Sequence, residues 1–188
     1  MNNDFTYEQY RHDFASWSAA RAAQRGFEGA TVGVLKQAIE DVGLDVFVNT
    51  ASNYEMTEAA FDVQHQQWCT KIRAFLLAKD VVKATYGLAA KLVNVYLKSA
   101  VILGERGKSQ LASVIHPPID GLLLKAIAKN GKKDGISPEL RKLCVDSRWT
   151  RFDGNAYRGL IVAMKAEKLH KPHFWMLERY WPVSITEK

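Results

Sequence analysis

Apolar positions recur along this chain at spacings of three and four residues, the period of amphipathic helices, and seldom at the two-residue period of a strand. The first stretch predicts a helix from about Thr6 to Arg25, with Tyr10, Phe14, Trp17, Ala20 and Ala23 or Gln24 on the buried face and Gly26 ending it. A second helix starts near Thr31, buries Val34, Leu35, Ala38, Ile39 and Val42, and stops at Gly43. LDVFVN alternates like a short strand, but a lone strand has no partner, so an extended connection or a brief helical turn is expected there. The SNYEMTEAAF segment then opens a long helix reaching about Lys79, with Phe61, His65, Trp68, Ile72, Phe75 and Leu76 inward. The next helix, roughly Val82 to Leu103, is the most apolar, and Gly87 is where it is expected to break.

ILGERGKSQ reads as a polar linker. In HPPIDGLLLKAIAKN the two prolines force an extended approach before helical periodicity resumes. NGKKDG is an exposed basic turn, and Ser137-Pro138-Glu139 starts another helix with a capping residue and a proline at its first position. The last two helices cover about Asp153 to Leu169 and Pro172 to Trp181. The expectation is an all-α chain of about eight or nine helices, residues 1–188 forming one domain.

Composition adds limits. Hydrophobic residues make up 47% of the 188, enough to bury a sizeable core and too many for a disordered chain. The formal charge of +6 admits a polyanionic partner such as nucleic acid without requiring one. Cys69 and Cys144 lie far apart in apolar-periodic contexts, as buried free thiols do, which argues for a reducing compartment and against a zinc site or a four-cysteine cluster. MNNDFTYEQY lacks the basic and apolar regions of a signal peptide, and no run is long and apolar enough to span a bilayer. A cytoplasmic protein with no membrane partner and no cofactor is expected.

The apolar helix carries one polar stripe, Lys91, Asn94 and Lys98, with Ser99 beside it. Such a stripe is either the solvated edge of a core helix or the lining of a cleft. In a cleft walled by apolar groups an ammonium is disfavoured, which frees the amine of Lys91 as a nucleophile. Asp120 follows the two prolines at the start of a helix, where a carboxylate serves as an N-cap. A lysine on a buried helix and a proline-preceded aspartate opening another also suit amine catalysis at a sugar carbon.

Gly87-Leu88-Ala89-Ala90-Lys91-Leu92-Val93-Asn94 resembles the helix-hairpin-helix segment of the base-excision DNA glycosylases related to endonuclease III and the 8-oxoguanine glycosylases. Gly87 stands four residues before the lysine and Asn94 three after it, as in that family, and Ile119-Asp120 matches its aspartate element. Ala89 stands where the family hairpin usually has a second glycine, and ILGERGKSQLASV lengthens the lysine-to-aspartate spacing. The resemblance implies a two-lobed helical fold with the hairpin and catalytic helix at about 80–130 and the active-site cleft between the lobes. It implies Lys91 as the nucleophile that forms a Schiff base at C1′ and Asp120 as its assistant. The act would be excision of a damaged or modified base, with abasic-site lyase activity or without it, in repair or in defence against phage. It also implies duplex DNA with a flipped-out base as partner, and a monomer.

SWSAARAAQRG resembles the early family helix that ends near the lesion, which makes Gln24, with Arg25, a pocket or duplex-wedging residue. Gly87, Asn94 and Lys98 join them as DNA contacts, and His116, directly before the Pro-Pro-Ile-Asp element, is a pocket candidate or a packing residue. Trp17, Trp68, Trp149 and Trp175 are each candidates to stack on the base or, alternatively, core residues. Arg21, Arg106, Lys108, Lys129, Lys132, Lys133, Arg148 and Arg151 mark solvated faces or phosphate contacts. The five histidines show no HxxxH or HExxH arrangement, and His170-Lys171-Pro172-His173 fits an exposed turn better than a metal site. Two other readings compete: a non-catalytic helical module that binds nucleic acid or protein, and a helical Schiff-base enzyme for a small carbonyl substrate.

Overall fold

The computed structural model describes residues 5–25, 27–104, 107–167 and 172–181. Gly26, Arg106, His170, Lys171 and the last residues of the helix expected to reach Leu169 lie outside them. The described residues are all-α and contain nine α-helices. These are α1 (Tyr7–Ala23), α2 (Val32–Asp41), α3 (Leu44–Asn49), α4 (Glu58–Ala78), α5 (Tyr86–Leu97), α6 (Gln110–Val114), α7 (Gly121–Asn130), α8 (Pro138–Asp146) and α9 (Gly154–Ala166). Short 3₁₀ turns follow α3, α7 and α8, and a longer one at Phe174–Tyr180 closes the described chain.

Most helices start where the chain provides an oxygen for the orphan N–H groups of the first turn. Thr6, Thr31, Thr57, Thr85, Ser109, Asp120, Ser137 and Asp153 cap every helix but α3, and Thr6 with Gln9 closes a reciprocal capping box. Thr85 explains a difference from expectation. The apolar helix begins at Tyr86, after the cap, so Gly87 lies in its first turn and breaks nothing. LDVFVN takes the helical alternative, begun by Gly43 at a positive φ of 67°.

Helix α5 is the centre of the core. All its residues except Lys91 and Val95 are buried, with α1 and α4 as its main neighbours. Gly87 permits its close contact with the 3₁₀ turn Trp149–Arg151, since a Cβ there would lie 1.9 Å from the Trp149 carbonyl oxygen. Gly87→Ala must displace a backbone segment rather than a flexible side chain. A loss of about 1–3 kcal/mol is expected in denaturant titration, whereas alanine at exposed Gly159, inside α9 with open space around it, should raise the midpoint, by up to about 1 kcal/mol in stability.

The buried face of α1 is the expected one only at Ala20 and Ala23. Ala15, Ser16, Ala19, Ala20 and Ala23 form it, and these small side chains let α1 lie close along α5. Tyr10, Phe14 and Trp17 point outward, 58%, 52% and 50% exposed. Both faces of α1 are apolar, so periodicity could not distinguish the face that fits a neighbour from the face left open.

Candidate active site

Lys91 and Asp120 meet in space. Lys91 Nζ lies 3.3 Å from Asp120 Oδ2, with the two side chains only 11% and 15% exposed. The ammonium also sits 4.6 Å from the centre of the Trp149 ring, a cation–π contact that fixes the direction of the lysine. Asp120 is held by its own helix. Its Oδ1 accepts from the N–H groups of Leu122 at 3.0 Å and Leu123 at 2.9 Å, which turns Oδ2 toward Lys91. The N-cap reading and the functional reading of Asp120 therefore use different oxygens of one carboxylate.

The pair lies on a cleft of about 610 Å³. Helix α1 contributes Phe14 and Arg21 to its wall, and Gln24 and Arg25 follow just past its end; Lys98 and Ser99 come from the π-helical turn Lys98–Ile102 that continues α5. Pro118 and Leu122 flank Asp120, and Glu178 and Trp181 close the far side. Lys98 pairs with Glu178 and lies 5.6 Å from the centre of the Trp181 ring. Burial pushes the Glu178 carboxyl up, the Lys98 ammonium pulls it back, and the Asp120 charge pushes it further up. Gln24 Oε1 is buried on this wall with no hydrogen-bond partner among the described residues, leaving an acceptor for an incoming donor.

Three other residues proposed for the site lie elsewhere. Gly87 is buried against Trp149 and its N–H is taken by the Phe152 carbonyl at 3.3 Å, so it has no free donor for a phosphate. Asn94 is fully buried, because its position on α5 turns it from Lys91 and Lys98 toward α4 and α9. His116 is also buried and faces Asp62 and Tyr157 rather than the cleft.

Asn94 and His116 instead belong to a connected polar chain beneath the site. His65 Nε2–H donates to Asn94 Oδ1 at 2.8 Å, and the Asn94 amide donates to the Pro117 carbonyl at 3.1 Å and the Tyr157 hydroxyl at 3.0 Å. Tyr157 donates to His116 Nδ1 at 3.1 Å, and His116 Nε2–H donates to Asp62 at 2.8 Å. Lys165 then binds both Asp62 oxygens at 2.7 Å. Acceptance at Nδ1 requires His116 to be neutral, and complete burial keeps His65 neutral. Burial holds the pKa of each below its ordinary value; at His116 this outweighs the upward pull of Asp62. Burial would raise Asp62, but its hydrogen bonds from His116 and Lys165 carry it down to about 2.

The unfolded chain therefore binds more protons than the folded one as pH drops below about 6.5, where free histidine protonates. Stability present at neutral pH should be lost on acidification, with a further loss from Asp62 below about pH 4. The melting temperature at about pH 5 should lie clearly below that at about pH 7.5. An unchanged or higher value at the acidic pH would contradict neutral His65 and His116.

Of the other candidates, Trp68 is in the core, Trp149 supports Lys91, Trp175 stacks on His173, and Trp17 is on the surface. Glu178 and Trp181 were not singled out from sequence. The available signal was that Lys98, on a helix so apolar, needed a carboxylate partner, but nothing in the chain indicated which. Cys69 and Cys144 are buried free thiols; burial raises both, Cys144 to about 12. Among the described residues no three His, Cys, Asp or Glu side chains are grouped to hold a metal ion, and no helix is long and apolar enough to cross a membrane.

Comparison of the chain with protein-family models, curated proteins and solved structures found no match.

Proposed function

We propose that the protein is a DNA glycosylase that removes a damaged or modified base with Lys91 as nucleophile and Asp120 as its proton partner. The observation that carries this reading is the 3.3 Å contact between a mostly buried amine and a carboxylate on a cleft of about 610 Å³. Pockets of roughly 300–1,000 Å³ enclose ligands of small-molecule size, so a single flipped-out nucleotide fits and a stacked duplex does not. The order α4, connection 79–85, α5 supports a helix-hairpin-helix assignment within a two-lobed glycosylase fold, with the hairpin's phosphate contact assigned to groups other than the Gly87 N–H.

In the proposed reaction the Lys91 ammonium passes a proton to Asp120 Oδ2 along their contact, which frees the Nζ lone pair. Nζ attacks C1′, the C1′–base bond breaks, and the base leaves with the bonding pair and takes the proton from Asp120. Opening of the C1′–O4′ bond, with one Nζ proton moving to O4′, yields a protonated Schiff base. Water then releases Lys91, or loss of a C2′ proton permits β-elimination at the 3′ phosphate. Arg21 and Arg25 supply positive charge along the cleft wall for the flanking phosphates, whereas the charge of Lys98 is matched by Glu178.

The test is borohydride trapping. The protein is incubated with an oligonucleotide bearing an abasic site, reduced, and resolved for a covalent adduct. An adduct mapped to Lys91 supports the proposal. No adduct, together with no base release from a panel of modified oligonucleotides, overturns it.

A further inference from the structure

Helix α1 has an outer face that its packing leaves unexplained. Tyr7, Tyr10, Phe14 and Trp17 are all at least half-exposed. At about 100° per residue they fall within an arc of roughly 80°, Arg21 lies in the same arc, and Arg25 follows just past the helix end. Exposed Glu8 and Asp13 lie to either side of it, off the line. The stripe is continuous with the cleft: Phe14, Arg21 and Arg25 already line the wall opposite Lys91 and Asp120. An aromatic half therefore leads into a cationic half, and the cationic half leads to the Lys91–Asp120 pair.

We infer that this face of α1 is a stacking platform for single-stranded DNA that guides a strand into the cleft. The inference rests on reading the cleft as a nucleic-acid site. The chemistry of the stripe selects the occupant. Flat aromatic faces stack on unpaired bases whatever their sequence, whereas a duplex hides those faces and offers only base edges and phosphates. Residues three and four apart advance about 4.5–6 Å along a helix, near the spacing of a strand stretched to less than twice the ~3.4 Å duplex repeat. Phe14 and Trp17 have ring centres 6.1 Å apart and planes 38° from parallel, which leaves the two rings as separate steps rather than one closed stack. Arg11 lies 5.8 Å from the centre of the Tyr7 ring, placing another cation at the outer end of the path.

The full-length protein can be titrated with a fluorescent ten-nucleotide single strand and with a hairpin duplex of equal charge, at several salt concentrations. The single strand should bind more tightly and quench tryptophan fluorescence. Phe14→Ala and Trp17→Ala should each weaken single-strand binding on the order of ten-fold, the usual value of one base–aromatic stack. Trp17→Ala should also remove most of the quench, and Trp17→Phe should retain affinity. Because both side chains are half-exposed, the variants should melt at the wild-type temperature. Trp17-dependent single-strand binding by a wild-type protein that gives neither adduct nor base release would reject the glycosylase reading and keep the platform. Equal affinity for duplex and single strand, unaltered by Trp17→Ala, would overturn the platform. So would a Trp17-dependent dimer in sedimentation without DNA binding, or Trp17-dependent binding to anionic vesicles in its place.

Discussion

Lys91→Gln will abolish the borohydride-trapped adduct and reduce base release by at least a factor of about 10³, while the protein remains folded. The large effect is expected because glutamine keeps much of the length of the side chain but has no lone pair that can form an imine. Folding should weaken but survive: the Lys91–Asp120 pair is mostly buried, so losing one partner is costly, but Asp120 keeps its hydrogen bonds from the Leu122 and Leu123 N–H groups and opens on the cleft. Asp120 provides the matching control. Asp120→Asn retains an oxygen for the N–H groups of Leu122 and Leu123, and asparagine caps helices as well as aspartate does. Its melting temperature should therefore stay near wild type while the rate falls by about 10²–10⁴ through loss of the proton partner. Asp120→Ala should show the same rate loss plus about 1 kcal/mol of destabilisation from the missing cap. Adduct formation in Lys91→Gln, mapped to Lys98 or another amine, would reject Lys91 as the nucleophile.

Much of the local structure was legible because its causes are local. Thr6, Thr31, Asp120 and Ser137 stand where helices begin, and an oxygen acceptor beside a run of helical periodicity is sufficient to mark the place. The inward face of α4 was legible too, since Phe61, His65, Trp68 and Ile72 stand out against polar neighbours. The face of α1 was legible only at Ala20 and Ala23, because alanines on one side and aromatics on the other are both apolar, and only the shape of α5 decides between them. The same limit divided the polar stripe. Lys91 and Lys98 line the cleft, whereas Asn94, on the neighbouring flank of α5, is buried against partners from α4, α9 and the 115–120 segment. Those partners lie 23 to 63 residues away in the chain, a separation that helical periodicity cannot detect.

Asn94 consequently carries the second large expectation. Asn94→Ala should destabilise the fold by about 3–5 kcal/mol, more than a typical core truncation of its size. The reason is what the substitution leaves behind. His65 Nε2–H loses its acceptor, and the Pro117 carbonyl and Tyr157 oxygen lose a donor, all in a region too buried for water to replace the bonds freely. Each orphaned group costs roughly 1–3 kcal/mol, and the chain through Tyr157 and His116 to Asp62 transmits the loss. Tyr157→Phe keeps the ring that stacks on His65 and removes only the hydroxyl, so it should cost about half as much in denaturant titration. The Pro117 carbonyl is also the tether that fixes the approach to Asp120, three residues on. At a temperature where Asn94→Ala is still folded, its rate should drop while adduct formation still maps to Lys91, the behaviour of a residue that positions the aspartate without touching substrate. A loss below about 1 kcal/mol would mean that the buried polar chain is not the single connected network these hydrogen bonds describe.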